Sequence, residues 1–165
     1  DIAVKFALTG HLVFSTVHAN DAPGTITRLL DIGIAPFLVG SCLNLVMAQR
    51  LVRRLCNNCK EEYTPTKEEL GLVGLDPSKV PGKLYRAKGC AECRNTGYKG
   101  RLAIFEMIPM ARDLRKLVFE NANEDEIRQA SLDNGMETLR EAGLARVLDG
   151  TTSVEEVLRS TVEDL

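Results

Sequence analysis

The chain has 165 residues, a formal net charge of −2 at pH 7, and 44% apolar but 5% aromatic residues. This length fits one domain, or one domain with a small appendage, and the composition predicts an aliphatic core. The near-neutral charge excludes a general attraction to nucleic acid or anionic lipid. No apolar run approaches the roughly 20 residues of a membrane helix, and no signal peptide is recognisable. Because the sequence opens at Asp1 inside a predicted helix, we expect it to be part of a longer protein.

The first part of the chain alternates between predicted helix and strand. Residues 1–9 predict the end of an amphipathic helix. The apolar and β-branched stretch 12–17 predicts a strand covered on both faces, as in a parallel sheet. A polar turn follows, in which Asp21 or Asn20 is expected to cap a helix that ends at Gly33.

The middle of the chain changes in texture at its first cysteine pair. Residues 36–49 predict a buried helix, and residues 50–56 predict a strand leading into that pair. Residues 56–100 are rich in proline and glycine, with one short helix expected at 66–74. We expect a compact insertion whose own core is too small to hold it together. Residues 100–110 then predict a strand.

The last third of the chain is predicted to be helical. One helix is expected over 111–120. Asn123, followed three residues later by Glu126, predicts a capping box for the next helix. A third helix is expected over 136–150, and the hydroxyl residues at 152–153 predict the start of a short final helix.

Four of the five cysteines form two C-x-x-C pairs, Cys56 with Cys59 and Cys90 with Cys93, whereas Cys42 stands alone. A C-x-x-C turn brings two thiolates to one side, which suits two corners of a tetrahedron with Zn–S near about 2.3 Å. Two such turns complete a closed four-sulfur site, so we predict structural Zn²⁺. Buried cysteines without metal and a redox dithiol are the alternatives, although redox motifs usually have one pair.

Basic residues accompany these features. Lys60 and Arg94 each follow a cysteine pair and are expected to offset the negative charge of a zinc–thiolate centre. Arg50, Arg53 and Arg54 cluster on a predicted strand. Such a cluster reaches a nucleotide or an adjacent subunit, or else forms a solvated face or pairs with nearby carboxylates. Arg50 is the candidate nucleotide contact.

Both histidines of the chain lie at the ends of the predicted strand, His11 before it and His18 after it. Seven steps of extended chain span roughly 23 Å, so the two imidazoles cannot share one metal or phosphate. Ligands of open α/β sheets bind at the carboxyl ends of strands, where His18 lies. His18, with the nearby hydroxyl of Thr16, is a candidate for contact with a phosphate or a reacting water. Packing or capping are the alternative roles.

These residues carry a resemblance to a known family. The stretches 7–22, 27–39, 48–60 and 89–107 together resemble the carboxyl-terminal part of bacterial secretion ATPases. The motors of type IV pilus assembly and type II secretion are the most similar members. The specific part of the likeness is a histidine box, which matches Thr9, Gly10, His11, Thr16 and His18 of this chain, followed by a tetracysteine insertion. The likeness covers nearly the whole chain.

The resemblance implies an α/β fold in three parts. Residues 1–55 would be the carboxyl-terminal part of a RecA-like P-loop ATPase core, residues 56–100 a tetracysteine zinc-binding subdomain, and residues 101–165 a strand with a helical subdomain. It also implies a homo-hexamer that hydrolyses ATP with Mg²⁺. Such a motor is cytoplasmic and peripheral at the inner membrane, where it works on platform proteins, with no nucleic-acid partner and no transmembrane segment.

The resemblance also implies roles for single residues. The histidine box places His18 near the γ-phosphate of a bound nucleotide. Thr16 and His11 would belong to the same catalytic region, with His11 stabilising the box or a subunit contact. The paired cysteines at 56, 59, 90 and 93 would be the zinc ligands.

The sequence departs from the family pattern in one respect. No G-x-x-x-x-G-K-[ST] motif occurs, and the acidic segments expected to hold Mg²⁺ are also missing. We therefore expect this chain alone not to hydrolyse ATP, and we expect the strand at 12–17 to lack sheet neighbours unless other chains supply them. The competing hypotheses are a stand-alone zinc-ribbon module for protein interaction and a thiol redox protein.

Overall fold

The structure is a computed structural model that describes residues 2–80 and 82–161. The chain divides into two units, each made of two stretches of sequence. The first unit comprises residues 1–48 and 106–137, and the second comprises residues 49–105 and 138–165. The functional division at residues 55 and 100 stays a prediction. Among the described helices, none combines the length and apolar character needed to cross a bilayer.

Helices and short strands alternate along the described residues. The elements in chain order are α1 (Ile2–Leu8), α2 (Ala22–Asp31), α3 (Pro36–Cys42), β1 (Leu45–Leu55), β2 (Glu61–Tyr63), α4 (Lys67–Val73), β3 (Leu84–Arg86), β4 (Tyr98–Pro109), α5 (Arg112–Phe119), α6 (Glu124–Asp133), α7 (Leu139–Leu148) and α8 (Val154–Ser160). Single 3₁₀ turns occur at Pro77–Lys79 and Ala91–Cys93. The chain is therefore a mixed α/β structure, as predicted.

The strands form two pairs. β1 pairs with β4, and β2 pairs with β3. The N–H of Met110 donates to the carbonyl of Asn44 at 3.0 Å, and the N–H of Cys56 donates to that of Gly97 at 2.9 Å. Since the residue before β1 meets the residue after β4, the longer pair runs antiparallel. β2 and β3 are also antiparallel, with Glu61 opposite Arg86.

An aliphatic core holds the first unit together. Its fully buried members come from several elements and include Ile26 of α2, Ile108 of β4, Val118 of α5 and Ile127 of α6. Burial of side chains of this size is worth about 1.5–3 kcal/mol each. The composition predicted such a core, because the chain has few aromatic residues.

The insertion shares its core with the carboxyl-terminal helices of the second unit. Leu70 and Val73 of α4 and Leu84 of β3 form one buried cluster with Val147 of α7 and Val157 of α8. The prediction that the insertion lacks a sufficient core of its own is consistent with this packing. The insertion depends on the last helices of the chain as well as on its cysteines.

The helix starts follow the predicted capping signals. Asp21 caps α2 by accepting a hydrogen bond from the N–H of Gly24 at 2.8 Å. Asn123 and Glu126 form the predicted reciprocal capping box at α6. Ser153 caps α8 by accepting from the backbone N–H three residues later. Capping is set by side chains within one turn, so it can be read from the sequence.

The predicted start of the helix over 136–150 is wrong by three residues. α7 begins at Leu139, because Thr138 and Glu141 form a capping box there. The T-x-x-E capping signal was present in the sequence, but the predicted helix began two residues before Thr138, at the apolar Met136.

The strand predicted over 12–17 is not formed. Residues 11–19 adopt neither helix nor strand, and Leu12 and Phe14 are 80% and 88% exposed. A strand that is apolar on both faces needs neighbouring strands for its backbone groups and further layers for its side chains. No described strand pairs with this segment.

The buried helix predicted over 36–49 is wrong beyond residue 42. α3 ends at Cys42, Leu43 has extended backbone with ψ of 131°, and β1 begins at Leu45. Leu45 and Met47 are about half exposed, whereas Val46 between them is buried. This alternation is typical of a strand with one covered face. Short apolar runs do not distinguish a buried helix from a strand, and pairing with β4 decides the outcome.

Candidate metal centre and histidine segment

The four paired cysteines come together in the second unit. Their sulfur atoms all lie within 4.8 Å of one another. The Sγ atoms of Cys56 and Cys90 are 4.0 Å apart, those of Cys59 and Cys93 3.8 Å, and those of Cys90 and Cys93 3.7 Å. A tetrahedron with Zn–S of about 2.3 Å has sulfur atoms about 3.8 Å apart. The donor set and its spacing therefore fit a tetrahedral zinc ion.

Two tight turns present these sulfur atoms. After β1, the N–H groups of Cys59 and Lys60 donate to the carbonyl of Cys56 at 3.2 and 2.9 Å. In the second turn, Arg94 and Asn95 adopt left-handed backbone with φ of 54° and 59°. The spacing of each C-x-x-C pair is therefore converted into a loop that points both thiols the same way, as predicted from the sequence.

Gly97 is needed beside the second turn. Its φ is +75°, and an added Cβ would lie 2.5 Å from the Cβ of Ala87. The N–H groups of Gly97 and Cys90 each donate to the Sγ of Cys93 at 3.2 Å. Glycine at this position thus permits a close backbone approach that also provides a hydrogen bond to a ligand sulfur.

The cysteine pKa values diverge within the cluster. Desolvation raises the pKa of the Cys93 thiol, but the N–H groups of Cys90 and Gly97 outweigh it and lower that pKa to about 6. Desolvation, with hydrogen bonds to neighbouring thiols, raises the pKa of Cys59 to about 12. The thiolate form of Cys93 is therefore favoured, and binding of Zn²⁺ to Cys59 would release the proton of that thiol.

Lys60, the basic residue after the first pair, contacts the loop between α7 and α8. Its Nζ donates to the carbonyl of Gly150 at 3.1 Å and lies 4.6 Å from the centre of the Tyr85 ring. The N–H of Leu55 donates to the carbonyl of Thr151 at 2.8 Å. The residues just before and just after the first cysteine pair, Leu55 and Lys60, therefore both hydrogen bond to this loop. The expectation that Lys60 and Arg94 offset thiolate charge stays a prediction.

The histidine segment lies in the first unit and is largely exposed. The Nδ1 of His11 hydrogen bonds with the Oγ1 of Thr9 at 2.9 Å, and its ring meets the Phe6 ring edge-on at 5.7 Å. Thr16 and His18 are exposed, within a segment that has no regular secondary structure. His11 is thus held locally at the end of α1. The catalytic roles expected for the three residues stay predictions.

The arginine cluster divides into different roles. Arg53 pairs with Glu156: Nε lies 2.9 Å and Nη2 2.6 Å from Oε2 of that carboxylate. Arg159 donates to the same carboxylate at 2.7 and 3.1 Å. For Arg53, the alternative of pairing with a carboxylate is therefore confirmed. Arg50 is exposed on β1, and its nucleotide contact stays a prediction.

Glu106 and Arg128, which were not among the predicted site residues, bind the start of α2. Glu106 is buried, with 3% of its surface exposed, and follows the inward alternation of Ile104 and Ile108 on β4. An acidic residue in an otherwise apolar inward register was the available signal, because buried carboxylates need polar partners. For Arg128 the local signal indicates only an i,i+4 pair with Glu124, since its other partner Asp21 lies 107 residues away.

Nearly the whole chain is similar to proteins of one family. Residues 1–159 match the family model described as type II/IV secretion system protein. The chain is 46% identical over 166 residues to the type IV pilus assembly ATPase PilB of Myxococcus xanthus, covering 99% of this chain and 29% of that protein. It is 47% identical over 164 residues to the type II secretion system protein E of Pseudomonas aeruginosa, covering 99% of this chain and 32% of that protein.

A third relative is similar to the same extent. The PilB pilus assembly ATPase of Thermus thermophilus is 45% identical over 163 residues, which cover 98% of this chain and 18% of that protein. The chain thus spans a third or less of the length of these curated relatives. Because the family model and the relatives cover nearly all of its residues, the chain belongs to the type II/IV secretion system protein family.

Proposed function

We propose that this chain is the carboxyl-terminal part of a hexameric motor that hydrolyses ATP to drive type IV pilus assembly or type II protein secretion. The observation that carries the proposal is identity of about 45% over nearly the whole chain to proteins with these two names. The RecA-like core would begin upstream and end within residues 1–55. The zinc subdomain would follow over 56–100, and the helical subdomain over 101–165.

The nucleotide would be bound mainly by parts of the intact protein that this sequence does not contain. A P-loop supplies backbone amides and a lysine to the phosphates, and acidic residues hold Mg²⁺. His18 would add an imidazole at the γ-phosphate, with Thr16 and Arg50 nearby and His11 stabilising the segment. The exposure of residues 11–19 supports this proposal, because such a segment is available to join the strands of a larger sheet.

The metal would be Zn²⁺ bound by Cys56, Cys59, Cys90 and Cys93. With four sulfur ligands the coordination shell is complete, so the ion supplies a cross-link between two turns rather than an activated water. This cross-link would fix the cysteine turns against β1 and against the loop after α7. The metal site is therefore structural in this proposal.

The partners would be five further copies in the hexamer and the platform proteins of the inner membrane. The motor would lie on the cytoplasmic side as a peripheral protein. A stand-alone zinc-ribbon module is less well supported, because the family match covers residues 1–159 rather than the cysteine-containing segment alone. A redox dithiol is less well supported, because all four sulfur atoms form one cluster of tetrahedral spacing.

The proposal is tested with the intact protein that contains this chain. We expect Mg²⁺-dependent phosphate release from ATP, which His18→Ala lowers strongly while one zinc per chain is retained. Asp31→Ala, an exposed change at the end of α2, is the control and leaves turnover unchanged. An intact protein that binds zinc but hydrolyses no ATP in the presence of Mg²⁺ would instead support the interaction module.

A further inference from the structure

The start of α2 is held by two side chains from distant parts of the first unit. The N–H of Ala22 donates to Oε1 of Glu106 at 2.7 Å, and both residues are buried. One position earlier, Oδ2 of Asp21 accepts from Nη2 of Arg128 at 2.7 Å. Two consecutive residues are thus fixed by partners on β4 and α6.

The bond to Glu106 has a clear electrostatic basis. Its carboxylate lies at the amino end of a ten-residue helix, where the free N–H groups and the helix dipole favour negative charge. A hydrogen bond from a backbone N–H to an ionised carboxylate is among the stronger types. Removing the carboxylate would leave the buried N–H of Ala22 without this acceptor.

Arg128 connects the same turn to α6. Its Nη2 lies 2.8 Å from Oε1 of Glu124, four residues earlier on α6, and 2.7 Å from Oδ2 of Asp21. The Oε2 of Glu124 accepts from the Oγ1 of Thr27 at 3.3 Å. The guanidinium therefore orients Asp21 with support from both helices.

These contacts occupy the amino end of α2 with carboxylates. Oδ1 of Asp21 accepts a hydrogen bond from the N–H of Gly24, and Oε1 of Glu106 accepts one from the N–H of Ala22. A phosphate would meet two negative groups here, although helix amino ends otherwise attract anions. The amino end of α2 is therefore a poor phosphate site, and among the side chains before the helix His18 is the nearest imidazole along the chain.

We propose that Glu106 and Arg128 are positioning residues for His18. This inference rests on the proposed role of His18 at the γ-phosphate. His18 precedes Ala22 by four residues, and four residues span at most about 14 Å when extended. Because residues 11–19 form no helix or strand, the anchored end at Asp21 and Ala22 limits where the imidazole can lie. Displacement of a catalytic group by about 1 Å can cost up to about a hundredfold in rate.

The test uses Glu106→Gln in the intact ATPase, with Glu120→Gln as the matched control. Glu120 carries the same charge on an exposed pair with Lys116 at 3.7 Å in the same unit. We expect Glu106→Gln to lower kcat at least about tenfold, with KM for ATP within about twofold because the P-loop dominates nucleotide binding. Amide hydrogen exchange over residues 11–22 should accelerate, while zinc content and the control variant stay unchanged.

A double-variant cycle separates positioning from a general structural role. If Glu106 acts through His18, adding Glu106→Gln to His18→Ala has no further effect on kcat. Arg128→Lys, which loses the planar fork but keeps the charge, should lower kcat in the same non-additive way. Both variants preserve charge or shape closely, so the test remains valid even if Glu106→Ala fails to fold.

The outcomes are distinguishable. Hydrolysis by the parent protein together with additive effects in the cycle, or with unchanged kcat in Glu106→Gln, overturns this inference alone. Absence of hydrolysis in the intact parent protein overturns the proposed function and this inference together. Non-additive loss of kcat with faster exchange over residues 11–22 supports both.

Discussion

The guanidinium of Arg53 on β1 forms a salt bridge with the fully buried carboxylate of Glu156 on α8, with Nη2 2.6 Å from Oε2. The backbone N–H of Arg53 also donates to Oε1 at 2.9 Å, and the guanidinium stacks 4.1 Å from the centre of the Tyr98 ring. Arg159, three residues after Glu156, also pairs with this carboxylate. Arg53 and Glu156 lie 103 positions apart in sequence. Their contact binds α8, the last described helix, to β1, the strand that leads into the cysteine cluster.

Removal of Arg53 should destabilise the second unit. In Arg53→Met the buried carboxylate of Glu156 loses one of its two guanidinium partners and keeps Arg159, and losing hydrogen bonds to a charged group costs about 1.5 kcal/mol or more. Lys116→Met, which breaks an exposed pair at 3.7 Å, should change stability by less than about 0.5 kcal/mol. Urea unfolding monitored by circular dichroism measures both. Equal effects of the two variants would contradict this role for Arg53.

Acid should weaken the same contact. Burial raises the pKa of Glu156, but hydrogen bonds from Arg159 and Arg53 outweigh burial and lower the pKa from 4.5 to about 2. A carboxyl with a depressed folded-state pKa stabilises the protein above its unfolded pKa, and this stability is lost as pH falls from about 4.5 towards 2. Glu156→Gln should therefore be less stable at pH 7 and lose less stability between pH 5 and pH 2. Parallel pH profiles for parent and variant would rule out this contribution.

Metal binding should depend on the paired cysteines alone. Cys59→Ser is expected to release zinc and to accelerate amide exchange over residues 56–100, because the ion links two turns that share little core of their own. Exchange over the loop at 149–153 should accelerate as well, since Lys60 and Leu55 bind that loop. Cys42→Ser is the control and should keep one zinc per chain. Retention of a full zinc complement by Cys59→Ser would disprove the four-sulfur assignment.

Gly97→Ala should weaken both folding and metal binding. The added methyl would lie 2.5 Å from the Cβ of Ala87 at a φ of +75°, and the strain would displace the N–H that donates to Cys93. We expect a loss of more than about 1 kcal/mol in unfolding free energy and weaker zinc affinity in a chelator competition. Gly71→Ala is the matched control, because no atom lies within 4 Å of its added Cβ in α4. It should stabilise by up to about 1 kcal/mol.

Local chemistry explains what could be read from the sequence. The C-x-x-C spacing predicted the metal cluster, since a turn of four residues already places two sulfur atoms together. Helix caps at Asp21, Asn123 and Ser153 were predicted for the same reason. In each case the residues that decide the structure lie within one turn of one another.

Long-range partners explain what could not be read. The contacts of Glu156 with Arg53 and of Asp21 with Arg128 span about a hundred residues, so no local pattern announces them. The segment after Cys42 becomes a strand because β4 pairs with it, although its apolar run equally suits a helix. The stretch 12–17 has strand propensity but no described neighbour, and propensity alone does not form a sheet.

Steady-state ATP hydrolysis by the intact protein, with and without His18→Ala, tests the central proposal most directly. The account predicts Mg²⁺-dependent turnover in the parent and a strong loss of kcat in the variant, with hexamers and one zinc per chain preserved in both. Turnover that is identical in the two proteins would remove the histidine segment from the site. No turnover in a zinc-loaded, hexameric parent would contradict the assignment of this chain to an ATP-driven motor.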